Sequence, residues 1–91
     1  MKADTKQNCG DRLKRIEGQV RGIARMVDED RYCIDILTQI RAIQAALRGV
    51  EAKILKDHVE HCVDGAIASG DGDEQRRKVQ ELLNVLTSRD R

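Results

Sequence analysis

Apolar residues recur along this chain at helical spacing. From Asp11 they fall at Leu13, Ile16, Val20, Ile23 and Val27, in alternating steps of three and four that gather one stripe on one face of a helix. The opposite face carries Lys14, Arg21 and Arg25. Residues 1–9 are polar and are expected to fray, and the polar run Asp28-Glu29-Asp30-Arg31 ends this helix or links it to the next. A second stripe runs through Cys33, Leu37, Ile40, Ile43, Leu47, Val50 and Ile54 and continues to His58 and Cys62. It predicts one helix from about Tyr32 to about Ala68. Gly49 is its interior weak point, and one glycine costs only about 1 kcal/mol. Such a helix would be on the order of 55 Å long, too long for a chain of this size to cover by itself. Ser69-Gly70-Asp71-Gly72 reads as a turn, with Asp73 or Asp71 as the N-cap of a short third helix that presents Val79, Leu82, Leu83 and Leu86 on one face. No internal repeat or low-complexity segment interrupts the pattern. The expected architecture is a single all-α domain over residues 1–91 with three helices: medium, very long and short.

Composition changes this picture in one respect. The chain has 91 residues, with one Tyr and no Phe, Trp or Pro. Its core must be built from aliphatic side chains, and so thin a core is marginal for a lone small domain. Association with further copies is the common remedy. The net charge of +1 hides an asymmetry. Residues 1–25 carry Lys2, Lys6, Arg12, Lys14, Arg15, Arg21 and Arg25 against Asp4, Asp11 and Glu17, a local charge of +4. A basic segment of this kind fits a nucleic-acid contact. No apolar run approaches the roughly 18 residues needed to cross a bilayer, and the N-terminus lacks the apolar core of a signal peptide. The expected location is therefore the cytoplasm, with no membrane partner. In that reducing compartment the three cysteines, Cys9, Cys33 and Cys62, fit metal binding or thiol chemistry better than a disulfide framework.

His58-Val59-Glu60-His61-Cys62 places His58 and Cys62 four residues apart, one turn apart on the same helix face. That spacing suits two ligands of one metal ion. It equally suits a small buried thiol beside a solvated histidine. Cys33, the candidate third ligand, lies 25 residues before His58, roughly 37 Å away along the same helix. One chain cannot bring the three together unless the helix breaks; two antiparallel copies can. Setting Cys33 opposite residue 60, midway between His58 and Cys62, puts the two-fold axis near residues 46–47, among Ala42, Ala45, Ala46 and Gly49. Small residues there let two helices approach closely, and the pairing creates two equivalent sites. Two thiolates and an imidazole are soft donors that suit Cu(I), or Zn(II) with a fourth ligand. Cys9 lies outside this array and reads as an incidental thiol. His61 faces away from the pair.

Asp30-Arg31-Tyr32-Cys33-Ile34-Asp35 followed by His58-x-x-x-Cys62 resembles the copper-sensitive operon repressor (CsoR) family of bacterial metal sensors. So does Arg12-Leu13-Lys14-Arg15-Ile16-Glu17-Gly18-Gln19-Val20-Arg21-Gly22-Ile23. The likeness covers about residues 10–88. It implies an all-α protein forming a dimer around an antiparallel four-helix bundle, assembled into a homotetramer. It implies a transcriptional repressor that binds operator DNA when metal-free and releases it when Cu(I), the inducer, is held by Cys33, His58 and Cys62. Tyr32 and Glu81 match positions that link such a site to the third helix, Glu81 as acceptor for the far imidazole nitrogen of His58. Plain packing for Tyr32 and a solvated helix position for Glu81 remain open. DNA contacts map to Arg12 and to the neighbourhood of Arg48, where this sequence has Gly49 instead of an arginine. Lys14, Arg15, Arg21 and Lys53 could add phosphate contacts, which give affinity and register.

Several rivals belong to the same family. Nickel and cobalt sensors of this type add a histidine near the N-terminus, whereas His58 and His61 are the only histidines here. Formaldehyde sensors rely on an N-terminal proline, which is absent, and usually lose the second cysteine. Persulfide sensors keep both cysteines and lack the intervening histidine, yet Cys33 and Cys62 could still be bridged by sulfur. A Cu(I)-buffering protein without DNA binding is a further alternative, opposed by the basic first helix. An enzyme is not expected. A Cys–His pair can act as nucleophile and base, but there is no oxyanion-hole loop, no phosphate cradle and too little chain for a substrate pocket.

Overall fold

The computed structural model describes residues 1–88, apart from the side chains of Cys62, Val63, Thr87 and Ser88. The described residues form helices joined by short turns, with no strand: α1 Ala3–Asp28, α2 Cys33–His58, a π-helical segment Val59–Val63, α3 Asp64–Ala68 and α4 Gly72–Ser88. The three expected helices are all present, and the long second one is the contiguous run α2, π segment and α3. The chain divides into two compact units, Met1–Leu55 and Lys56–Arg91.

In the first unit α1 starts at Ala3, eight residues ahead of Asp11, where the sequence pattern places the start of the helix. The segment expected to fray is helical because Cys9 extends the apolar stripe, being only 4% exposed in the core with Ile16, Ile43 and Val50. Asp4 in the first turn also complements the positive end of the helix. At the other end, Asp30 adopts a left-handed conformation (φ 55°). Its N–H donates to the Val27 carbonyl at 3.1 Å and the Arg31 N–H to the Met26 carbonyl at 2.9 Å. This is a Schellman closure with Asp in the place usually taken by Gly. The chain then turns back, and the Tyr32 carbonyl accepts from the Asp35 and Ile36 N–H groups to open α2.

Arg12 lies beside Gly49, with its guanidinium 3.5 Å from where a Cβ would stand. Both residues sit equally far from the connection, so α1 and α2 form an antiparallel hairpin. Its seam is Cys9, Ile16 and Ile23 against Ile43, Ala46 and Val50. Ala46 and Gly49, read from the sequence as small residues at an axis between copies, are turned instead toward this chain's own α1. Much of the apolar surface beyond this seam is uncovered: Leu13, Val20 and Val27 on α1 and Ile40, Leu47 and Ile54 on α2 stay exposed. Two helices have one mutual contact line, and the wide apolar face of each exceeds it.

In the second unit α4 packs against the helical run formed by the π segment and α3. The turn between α3 and α4 uses Gly70 in a left-handed conformation (φ 71°). Asp71, rather than Asp73, caps α4: its Oδ1 accepts from the Asp73 N–H at 3.0 Å and the Glu74 N–H at 3.3 Å. No described helix is long and apolar enough to cross a membrane.

Candidate metal centre and DNA-binding face

The three thiol and imidazole donors are distributed along one helical run. Cys33 opens α2 as a free, exposed thiol. His58 closes α2 and is half-buried. Cys62 lies in the π segment, and its side chain is outside the described residues. The sequence pattern predicts His58 and Cys62 on a continuous α-helix; in the structure the π segment begins immediately after His58. Such one-turn bulges concentrate at functional sites. Among the described side chains, no three of His, Cys, Asp or Glu gather within one chain to hold a metal. Next to His58, Asp57 is only 5% exposed, a buried carboxylate that the apolar periodicity does not single out.

Glu81 sits on α4, half-exposed, with its Oε2 3.7 Å from the Lys78 ammonium. Lys78 is also 3.9 Å from Glu74. Lys78 is therefore shared between two carboxylates, a feature visible in the sequence only as a spacing of three and four residues. Tyr32 is 68% exposed just ahead of α2 and is not part of the described core.

The basic residues separate into two groups on α1. At about 100° per residue, Arg12 and Arg15 share a stripe with Asn8 and Gln19, whereas Lys14 and Arg21 fall roughly 120–140° away from Asn8. The first group lines a cavity of about 500 Å³ with Asp11, Ile16 and Ala46. Arg21 is held by Glu17 at 2.9 Å. Arg48 and Lys53 are exposed on α2. Charge alone does not point to Asn8 and Gln19, because neutral carboxamides carry no charge signal; the shared helical face with Arg12 and Arg15 is what marks them.

The profile of the metal-sensitive transcriptional repressor family matches residues 5–88. The chain belongs to that family. Within it, the copper-sensing transcriptional repressor CsoR of Bacillus subtilis (strain 168) is 56% identical over 81 residues, 89% of this chain and 77% of the relative. The copper-sensing transcriptional repressor RicR of Mycobacterium tuberculosis is 58% identical over 65 residues, 71% of this chain and 68% of the relative. Among solved structures, the copper-sensing repressor CsoR with Cu(I) from Geobacillus thermodenitrificans superposes with a TM-score of 0.82 at 46% identity, covering 97% of this chain and 92% of that one. The nickel-responsive regulator InrS gives 0.76 at 38% identity, over 86% and 88% of the two chains.

Proposed function

We propose that this chain is a copper(I)-responsive transcriptional repressor that binds operator DNA when metal-free and releases it on metal binding. The observation that carries this reading is the donor set Cys33, His58 and Cys62 in a family member 46% identical to a Cu(I)-bound CsoR. Two thiolates and one imidazole suit Cu(I), and Zn(II) only with a further ligand. The free, exposed Cys33 thiol fits such a role, since a ligand must be reachable and able to lose its proton.

Cys33 and His58 are the first and last residues of α2. The ligands would accordingly come from two chains: Cys33 of one, His58 and Cys62 of the other, with two α2 helices antiparallel. The exposed stripe Ile40, Leu47 and Ile54, continued by Leu13, Val20 and Val27 on α1, supports a four-helix dimer. Exposed rows of this length mark association surfaces. The dimer pairs further into a homotetramer in this reading.

Cu(I), when bound, would be held by Cys33 of one chain and His58 and Cys62 of the other and would supply a link between them. The protein's own residues supply the response. Glu81, now beside Lys78, is the acceptor that a metal-bound His58 requires on its far nitrogen. Transfer of Glu81 from Lys78 to His58 draws α4 toward the end of α2 and opposes the DNA-binding arrangement of α1. Tyr32, adjacent to Cys33, lies where it can report the same change. Linkage requires the reverse effect, with DNA weakening metal binding by the same factor.

The test is an anaerobic Cu(I) titration of the reduced protein against a competing chelator, followed by DNA binding to the promoter region it controls with and without metal. One tight Cu(I) per chain and at least tenfold weaker DNA binding are expected. DNA affinity indifferent to Cu(I) overturns the copper reading. Release by a persulfide donor in its place would assign the sensing chemistry to Cys33 and Cys62 as a sulfur bridge. Tight Cu(I) with no DNA binding at any salt would make the chain a copper buffer.

A further inference from the structure

The α1–α2 hairpin carries a polar groove whose neutral side chains take no part in metal sensing or in charge neutralisation. It is lined by Asn8, Asp11, Arg12, Arg15 and Gln19 from α1, floored by Ile16 and by Ala46 of α2, and encloses about 500 Å³. We propose that this groove seats a segment of the DNA sugar–phosphate backbone, with Asn8 and Gln19 as hydrogen-bonding contacts flanking the Arg12 and Arg15 charges. The proposal rests on the DNA-binding reading and deepens it by naming where and how the backbone is held.

Three observations carry it. First, the two guanidiniums are uncommitted. Arg21 is spent on Glu17 at 2.9 Å, Arg76 on Asp73 at 3.3 Å and Arg77 on Glu74 at 3.1 Å. Arg12 and Arg15, by contrast, have no ion-pair partner among the described residues, although Asp11 adjoins them in sequence. Second, the Asp11 carboxylate is occupied on its other side: the Gln7 amide donates to both of its oxygens, at 3.1 and 3.2 Å. Third, the floor is built from small or apolar groups, Ala46 and Ile16, and Gly49 leaves room for the Arg12 side chain to cross α2. A phosphate approaching this floor loses water against apolar atoms while meeting the Arg12 and Arg15 guanidiniums, and charge-assisted hydrogen bonds strengthen where water is excluded.

Asn8, Arg12, Arg15 and Gln19 follow one another at steps of four, three and four residues. They therefore form a straight row along roughly three helical turns, on the order of 16 Å. A backbone strand advances about 3.4 Å per base pair of rise, so the row spans more than one phosphate. The arginines give charge neutralisation and the carboxamides give position. These two contributions are separable by experiment, because only charge neutralisation releases counterions.

The experiment is fluorescence-anisotropy titration of the full chain with a labelled, mixed-sequence DNA duplex over a series of salt concentrations, since backbone contacts need no particular sequence. Arg12→Ala and Arg15→Ala should each weaken binding and flatten the salt dependence by about one unit of slope for each phosphate no longer neutralised. Asn8→Ala and Gln19→Ala should each weaken binding about 3–10-fold, as expected for removing one hydrogen bond, with the slope unchanged. Asp11→Asn should tighten binding. Thermal melts of the variants control for folding, and all of these side chains are exposed or at the groove rim. If wild-type protein binds the duplex and the Asn8 and Gln19 variants match it, the groove assignment is overturned and DNA binding stands. If wild-type protein ignores DNA even at low salt, the proposal fails together with the repressor reading.

Discussion

Leu47→Asp tests whether the metal site is shared between chains. Leu47 is 44% exposed on α2, close to the position where two antiparallel α2 helices with Cys33 opposite His58 and Cys62 would cross. Burying a whole leucine side chain is worth roughly 1.5–3 kcal/mol, so covering the exposed 44% gives roughly 0.7–1.3 kcal/mol. A two-fold interface counts the residue twice, roughly 1.4–2.6 kcal/mol. Placing two carboxylates at the same seam adds a desolvation cost of several kcal/mol more. Dimer affinity should fall by about a thousandfold or more, at about 1.4 kcal/mol per factor of ten. The hairpin seam does not include Leu47, and each chain should keep its helicity. The assay pairs sedimentation at several concentrations with an anaerobic Cu(I) competition titration. The variant should sediment as a monomer and lose tight copper, although Cys33, His58 and Cys62 are all intact. A monomer that still holds Cu(I) tightly refutes the shared site, and a variant that stays a dimer refutes the face.

Three other outcomes follow from the geometry. Cys33→Ala should bind DNA as wild type does and lose Cu(I)-induced release; normal release, read by anisotropy, would remove Cys33 from the ligand set. Gly49→Ala should raise stability by roughly 0.5–1 kcal/mol, because the added Cβ meets only the flexible tip of Arg12 at 3.5 Å; a lower midpoint in urea unfolding would show that the helix crossing there is tighter than this contact implies. Lys78→Met should free Glu81 and strengthen copper-induced release by at most about fivefold, since a partly exposed pair at 3.7 Å is worth roughly 0–1 kcal/mol; weaker coupling, from DNA titrations with and without Cu(I), would make Lys78 a support for α4 rather than a competitor.

The helices themselves were legible in the chain. Steps of three and four along Leu13 to Val27 and Cys33 to Ile54 fix helical faces whatever the fold, because 3.6 residues per turn is a property of the backbone. The donor set was read from residue type alone: Cys33, His58 and Cys62 carry the thiol and imidazole groups that a soft metal ion would take, and the structure keeps Cys33 and His58 at opposite ends of α2. Tertiary structure decided how the apolar positions are divided. Nothing in the periodicity tells Ile16 from Val20, yet one is 6% exposed in the hairpin seam and the other 50% exposed, because two helices share only one line of contact. The same geometry turned Ala46 and Gly49 inward and extended α1 back to Ala3 through the burial of Cys9. It also set Arg12 and Arg15 over a groove with Asn8 and Gln19. The π segment at Val59–Val63 is a further case. A change from i→i+4 to i→i+5 hydrogen bonding leaves little trace in side-chain spacing over one turn, and this turn is one that α4 packs against.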